Sequence, residues 1–323
     1  MIFNKLNQKT FLIFILLITW FNISSAQFLK EHGQLMVSNT SLLDQNGDPL
    51  VLRGMSYGWH NWWPRFYNKG TVKWLKEDWN CTVLRAAMGI DVEDGYLEKP
   101  EWSQNKIEKV VKAAIENDIY VIIDWHSHNI HLEPAKKFFQ EMAKKYGEYP
   151  HVIYEIFNEP DDESWHEVKK YSEELITTIR AIDPDNLILI GSPHWNQDIH
   201  IVADDPIKGF DNIMYTLHFY AAGHGKKLRK RANYALKKGI PLFVSESAGM
   251  EPTGDGRIDL KEWNRWIDWM EKNKISGLTW SIADKDETCS VLYPEASSTG
   301  SWKIENLKKS GKLIRAKLRN YSY

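Results

Sequence analysis

Eight short apolar runs, most followed by a segment of helical periodicity, limit what this chain can fold into. They are "LVLRGMSY" (50–57), "TVLRAAM" (82–88), "YVIIDWH" (120–126), "VIYEIFNE" (152–159), "LILIGSP" (187–193), "IMYTLHFY" (213–220), "PLFVSES" (241–247) and "GLTWSIAD" (277–284). Each is close to continuously apolar, as expected of parallel strands covered on both faces. Parallel neighbours need a crossover, and the intervening segments supply one. After the fourth run, Ser164 and Glu167 stand at capping-box spacing before "EVKKYSEELITTIRAI". After the seventh, Asp259 is followed three residues later by Glu262.

Eight such units in 323 residues predict an α/β protein of the (β/α)8 TIM barrel type. A doubly wound open sheet is the competing architecture. No G-x-G-x-x-G turn follows any run, which argues against a nucleotide-binding version of it. Before the first run, "GQLMVSN" and "LLDQNGDPLVL" read as a β-hairpin turning at Asn46-Gly47 and plugging the barrel bottom.

Residues 1–26 have the layout of a signal peptide. Lys5 and Lys9 precede "FLIFILLITWF", and "SSAQ" offers a cut after Ala26. That apolar run is shorter than the ~20 residues of a membrane span. The expectation is a secreted chain with one catalytic domain over 27–323, without a membrane segment after cleavage and monomeric. Removing 1–26 takes away two lysines and no acids. The 41 Lys plus Arg become 39 against 43 Asp plus Glu, near −4 and no nucleic-acid signature. Asn39, Asn80 and Asn320 head N-x-Ser/Thr sequons. Cys81 lies at the start of the second run and Cys289 beyond the end of the eighth, too far apart along the barrel axis for a disulfide.

In a barrel the chemistry collects where strands end. Those positions hold Arg85, Asp124, His126, Asn158, Glu159, His218, Tyr220, Glu246, Trp280 and Asp284. A ring of ionisable groups at the mouth of an apolar barrel is costly unless paired or used. Glu159 and Glu246, on the fourth and seventh strands, form the minimal pair for glycosidic cleavage: one carboxyl protonated, the other ionised. Arg85 near Glu246 would favour its charged form, leaving the shared proton on Glu159.

"FNEP" after the fourth run and "SES" in the seventh resemble glycoside hydrolase family 5. "VLRAAMG", "VIIDWHSH", "LHFYA" and "LTWSIADKDETCSVL" make the chain similar to the bacterial-type cellulase branch of that family over residues 30–320. The resemblance implies a retaining endo-β-1,4-glucanase without a cofactor, with Glu159 as acid/base and Glu246 as nucleophile. It implies a polysaccharide partner held by Arg85, His126, Asn158, His218, Tyr220 and Trp280 at the cleavage point. Trp195 would lie on the leaving-group side, and Lys285, Glu287 and Trp62 on the other. In the loop "GMSYGWHNWWPRFYN" the chain departs from the bacterial pattern, so Trp59 and Trp63 compete with Trp62 for the stacking role. Xylan, glucomannan and mixed-linkage glucan are alternative substrates for the same chemistry.

Two other readings compete. His126, His128 and His131 in "HSHNIH" suggest a metal-dependent barrel hydrolase, but the H-x-H pair follows the third strand rather than the first. A sugar-binding protein on a dead enzyme scaffold would have lost one of the two glutamates, and both are present. Trp263, Trp266, Ile267 and Met270 follow i, i+3, i+4, i+7 spacing and predict a helix face packed on the barrel. Trp125, alternating with Asp124 and His126, is predicted to point outward into the helices.

Overall fold

The structure, a computed structural model, describes residues 28–321. The leader predicted over residues 1–26 lies outside the described residues. A small antiparallel pair, β1 (Met36–Ser38) and β2 (Ser41–Leu43), precedes eight parallel strands. These are β3 (Arg53–Tyr57), β4 (Val83–Gly89), β5 (Tyr120–His126), β6 (Val152–Glu155), β7 (Ile188–Ile190), β8 (Ile213–Tyr220), β9 (Leu242–Ala248) and β10 (Gly277–Ile282). They close in the order β10-β3-β4-β5-β6-β7-β8-β9, with helices between them, so the fold is a (β/α)8 barrel and not an open sheet. Every expected run supplies one barrel strand. β6 and β7 end earlier than their apolar runs do.

Local signals hold the helices in place. Ser164 and Glu167 form the capping box of the helix Trp165–Arg180, and the Asp259 side chain accepts from the Glu262 N–H to cap Leu260–Lys272. On that last helix Trp263, Trp266, Ile267 and Met270 are all buried, as their spacing requires. Trp125 points outward and packs on Tyr96, Phe138 and Phe139. Cys81 and Cys289 are both buried free thiols.

The N-terminal hairpin differs from expectation. The β1–β2 pair turns at Asn39-Thr40, where Asn39 adopts φ 53°, and pairs Met36 with Leu43. Asn46-Gly47 makes a second, separate turn. There Asp44 Oδ1 accepts from the N–H groups of Asn46 (2.8 Å) and Asp48 (3.0 Å), and Gly47 takes φ 84°. The Asp44 side chain closes the loop locally, so the chain folds back only as far as a Leu43–Pro49 bridge. Leu29, Leu35, Leu42 and Leu50 are buried in one cluster with Val83, Tyr120, Ile122, Ile153, Leu189, Met214 and Phe243 from the strands.

Candidate active site

The strand pleat sends alternate residues to the barrel interior. On β4 these are Val83 and then Arg85; on β5, Tyr120, Ile122, Asp124 and His126; on β6, Ile153 and then Glu155. The first members lie in the apolar cluster and the later ones carry ionisable groups. At that change of character Arg85, fully buried, is the hub. Its Nε donates to Glu155 Oε2 (2.6 Å), Nη1 to Glu246 Oε2 (2.9 Å) and Nη2 to Asn158 Oδ1 (2.6 Å). Nη2 also lies 3.0 Å from Asp124 Oδ2. Burial alone would discharge the guanidinium, but Asp124, Glu155 and Glu246 outweigh it and hold the proton more tightly than usual. Burial would likewise raise Glu155, yet Arg85 overrides it and brings that carboxyl down to about 2. Asp124 stays above its ordinary range because burial dominates, and burial together with Arg85 keeps His126 neutral. Asp124 Oδ2 and His126 Nδ1 are 2.6 Å apart.

An irregularity in β9 delivers the second glutamate. Thr216 pairs with Phe243 and His218 with Glu246, so two steps on β8 match three on β9. The extra residue is a β-bulge, and it lets neighbouring residues Ser245 and Glu246 both reach interior partners. Glu246 Oε1 accepts from the Tyr220 hydroxyl at 2.7 Å. Ser245 Oγ donates to Glu155 Oε1 at 2.6 Å and lies 2.8 Å from His218 Nε2.

Asn158 and Glu159 follow β6 rather than belonging to it, but their backbone continues the ladder. The Asn158 N–H donates to Trp125 O and that of Glu159 to Ser127 O. Glu159 Oε1 is 2.7 Å from His218 Nδ1. Asn158 gives Oδ1 to Arg85, while its buried Nδ2 has no partner among the described residues. The backbone of Asn158 is clamped by Asn196, whose Nδ2 donates to Asn158 O at 2.5 Å. Asn196 also ends a run of three residues at positive φ: His194 (59°), Trp195 (54°) and Asn196 (59°). The Trp195 N–H donates to Pro160 O, fixing that turn against the Glu159 segment.

One carboxylate oxygen each from Glu159 and Glu246, with one ring nitrogen of His218, lie within 4.8 Å of one another. They open into a cleft of about 610 Å³ walled by Trp59, Trp62, Trp195, Trp280, His126, His128, Lys285 and Glu287, with Tyr220 also on its lining. Trp280 lies parallel to His126 with ring centres 5.2 Å apart. Trp62 and Trp195 are 48% and 37% exposed, which frees a ring face on each for a ligand. Lys285 and Glu287 pair with each other at 2.5 Å.

The structure therefore brings together every residue singled out from sequence for binding or catalysis. Arg85 and Asn158 lie beneath the cleft and the others line it. Asp284, at the end of the eighth run, is instead held by Arg65 at 2.6 Å and does not line the cleft. The sequence reading does not reach Glu155, Ser245 or Asn196, and both Trp59 and Trp63 join Trp62 on the wall, the Trp59 and Trp62 rings 4.9 Å apart. A signal for Glu155 is present: a carboxylate inside an otherwise apolar strand needs a buried cation, and the first and second runs each carry one, Arg53 and Arg85.

The electrostatics of the two glutamates differ from expectation. Burial raises Glu159, but its hydrogen bond to His218 and the charge there bring it below its ordinary value. Burial and the neighbouring Glu159 push Glu246 up, more than His218, Arg85 and Tyr220 pull it down. A shared proton thus favours Glu246, not Glu159, because the imidazole of His218 lies against Glu159.

Among the described residues, Glu159, His218 and Glu246 are the one group with metal-ligand spacing, and His126, His128 and His131 do not form one. His131 is tied to Asp91 at 3.1 Å instead. A cation in the Glu159–Glu246 gap would face the Arg85 guanidinium, which already occupies Glu246 Oε2.

A closed barrel with paired carboxylates at its C-terminal mouth, lined by tryptophans, is the arrangement of a barrel glycosidase. The chain belongs to glycosyl hydrolase family 5, whose cellulase profile matches residues 43–286. It is 43% identical over 290 residues to an endoglucanase of Clostridium saccharobutylicum, covering 88% of this chain and 64% of that protein. A solved structure from Cytophaga hutchinsonii is 46% identical, with a TM-score of 0.89 over 90% of this chain and 96% of the other. The catalytic domain of a Thermobifida fusca endoglucanase, solved as a variant in complex with cellotetraose, is 33% identical with a TM-score of 0.85, over 90% and 99% of the two chains. The chain spans about three-fifths of the length of the curated relatives it matches.

Proposed function

We propose that this chain is a retaining endo-β-1,4-glucanase acting on cellulose-type glucans by double displacement. The observation that carries this reading is that one carboxylate oxygen of Glu159 and one of Glu246 lie within 4.8 Å of each other. Retaining glycosidases hold their carboxyl groups ~5–5.5 Å apart, whereas inverting ones leave ~6.5–9.5 Å for a water.

Glu246 is the nucleophile. Arg85 and the Tyr220 hydroxyl each hold one of its oxygens, which fixes its plane and stabilises the anion that attacks the anomeric carbon. Glu159 is the acid/base. It protonates the leaving oxygen as the glycosidic bond breaks, then removes a proton from the water that releases the glycosyl-enzyme. His218 holds the Glu159 carboxyl below its ordinary value while burial and Glu159 hold Glu246 above its own, so the two roles require a bound sugar to raise the proton affinity of Glu159 above that of Glu246. Asn158 Nδ2, buried and without a partner among the described residues, donates to the 2-hydroxyl of the sugar at the cleavage point in this reading. Trp62, Trp280 and Trp195 supply flat faces along the cleft, with Lys285 and Glu287 offering polar contacts beyond.

The related endoglucanase in complex with cellotetraose supports the substrate class. A reducing-sugar assay on carboxymethylcellulose, mixed-linkage glucan, xylan and glucomannan tests it. Fastest hydrolysis of carboxymethylcellulose is expected, and a clear preference for xylan or glucomannan would reassign the substrate. Early product observed by NMR should be the β-anomer, and full activity should persist in a chelator. We also propose a secreted monomer of one catalytic domain. Lys5, Lys9 and the apolar run before Ala26 support the secretion, which N-terminal sequencing of exported protein tests, and sedimentation tests the monomer.

A further inference from the structure

Glu155 and Ser245 are buried and polar, and the proposed reaction does not itself use them. Their hydrogen bonds settle the state of His218. Glu155 is ionised, with both oxygens engaged by Arg85 at 2.6 and 3.3 Å. An ionised carboxylate only accepts. The one hydroxyl proton of Ser245 is therefore committed to Glu155 Oε1, 2.6 Å away. What remains of Ser245 Oγ toward His218 Nε2, at 2.8 Å, is a lone pair. On the other side of the ring, Nδ1 faces Glu159 Oε1 at 2.7 Å, again an acceptor when Glu159 is ionised. Both ring nitrogens face acceptors, and a neutral imidazole has a proton for only one.

We propose that Glu155 and Ser245 are positioning residues that hold His218 as an imidazolium against Glu159 Oε1, leaving Oε2 as the oxygen that gives and takes the proton in catalysis. This rests on Glu159 being the acid/base. The step balances as follows. The Oε2–H bond breaks and its electron pair stays on Oε2. The proton joins the glycosidic oxygen, which also receives the electron pair of the broken C–O bond. A Glu246 oxygen closes onto the anomeric carbon. Throughout, His218 keeps both protons, and its charge stabilises the carboxylate formed as the proton leaves Oε2. The ring's proton affinity agrees: burial opposes charge, but the nearby Glu155 carboxylate, 3.8 Å away, and the bond to Glu159 push it up to about 9.

The test compares Ser245→Thr, which keeps the hydroxyl, with Ser245→Val, its near-isostere without one. Two substrates are used: cellotetraose, whose leaving group needs a proton, and dinitrophenyl β-cellobioside, whose leaving group does not. The relay requires that Ser245→Val lose at least about tenfold more kcat/KM on cellotetraose than on the aryl substrate. That is part of the ~10²–10⁴ that general acid catalysis supplies. Ser245→Thr should restore most of it. Equal losses on both substrates, or no rescue by threonine, would overturn the relay. Independently of any variant, ¹⁵N NMR of the wild-type ring at pH 7 should show both nitrogens protonated, and a neutral ring there would sink the idea. Glu159→Ala in the same assay separates the two layers. If it lacks the leaving-group contrast, the acid/base assignment itself fails. If it shows the contrast and Ser245→Val does not, only the relay fails.

Discussion

The two halves of the barrel interior are built by the same strands and obey different rules. Toward the N-terminal ends, Val83, Tyr120, Ile122, Ile153, Met214 and Phe243 share one buried apolar cluster with Leu35 and Leu42. Two or four residues further along the same strands, the interior holds Arg85, Asp124, Glu155 and His218, all buried. The lower half lowers free energy by taking apolar surface out of water. The upper half concentrates charges that burial disfavours, and each persists only because another satisfies it. Stability is thus supplied below and function above, and substitutions in the two halves should fail in different ways.

The largest contrast comes from the two glutamates. Glu246→Ala should lower kcat on cello-oligosaccharides on the order of 10⁵-fold or more, as loss of a nucleophile does. Glu159→Ala should lose roughly 10²–10⁴-fold. Azide distinguishes their roles. In Glu159→Ala the glycosyl-enzyme still forms from dinitrophenyl β-cellobioside, and azide releases it as a β-glycosyl azide after two inversions. In Glu246→Ala azide enters the vacated space and one inversion yields the α product. Swapped anomers would swap the assignment.

Next in size is Arg85→Met. It leaves Asp124, Glu155 and Glu246 without their shared cation, which should cost ~3–5 kcal/mol of stability along with nearly all activity. In the lower half, Ile122→Ala should cost ~2–5 kcal/mol through the cavity it leaves, yet keep kcat/KM near wild type at temperatures where the protein is folded. Denaturant melts with parallel assays check both, and an Ile122→Ala protein that is stable but inactive would break the division. Tryptophans sharpen it further. Trp266 is fully buried and stacked on Phe219 at 4.2 Å, so Trp266→Ala should destabilise by ~3–5 kcal/mol. Trp62→Ala should change stability by no more than ~0.5 kcal/mol and raise KM instead.

The lower half was nearly all legible in the sequence, because burial on both faces writes itself as unbroken apolar runs. Glu159 and Glu246 were legible because strand ends are where a barrel does chemistry. Ser245 was not. Its approach to His218 depends on the β9 bulge, and strict alternation would have sent either Ser245 or Glu246 outward. Glu155 carried a readable signal as a charge inside an apolar run, but its partner Arg85 lies 70 residues away in sequence and two strands over. The N-terminal turn misled because Asn46-Gly47 does form a turn, while the side chain of Asp44 decides how far the chain folds back.

The smallest expected effect is a pH dependence confined to the upper half. His218 titrates near 9 in the fold, above the 6.5 of a free imidazole. A group whose folded value is raised stabilises fully below its unfolded value, and that contribution disappears as pH climbs through the folded one. Melting temperature should therefore decline between about pH 6.5 and 9 for this group. Glu155 is the mirror case: held down to about 2 against an ordinary 4.5, it stabilises above 4.5 and its contribution drains away as pH falls toward 2. The two together place a plateau between about 4.5 and 6.5. His218→Gln should melt lower than wild type within the plateau and lose the decline on its alkaline side. Ile122→Ala should melt lower at every pH with the decline intact, since no titratable group belongs to its apolar cluster except Tyr120, whose hydroxyl burial pushes far above this range. If Ile122→Ala flattened the alkaline decline as His218→Gln does, the two halves would be coupled through the strands and could not be treated as separate.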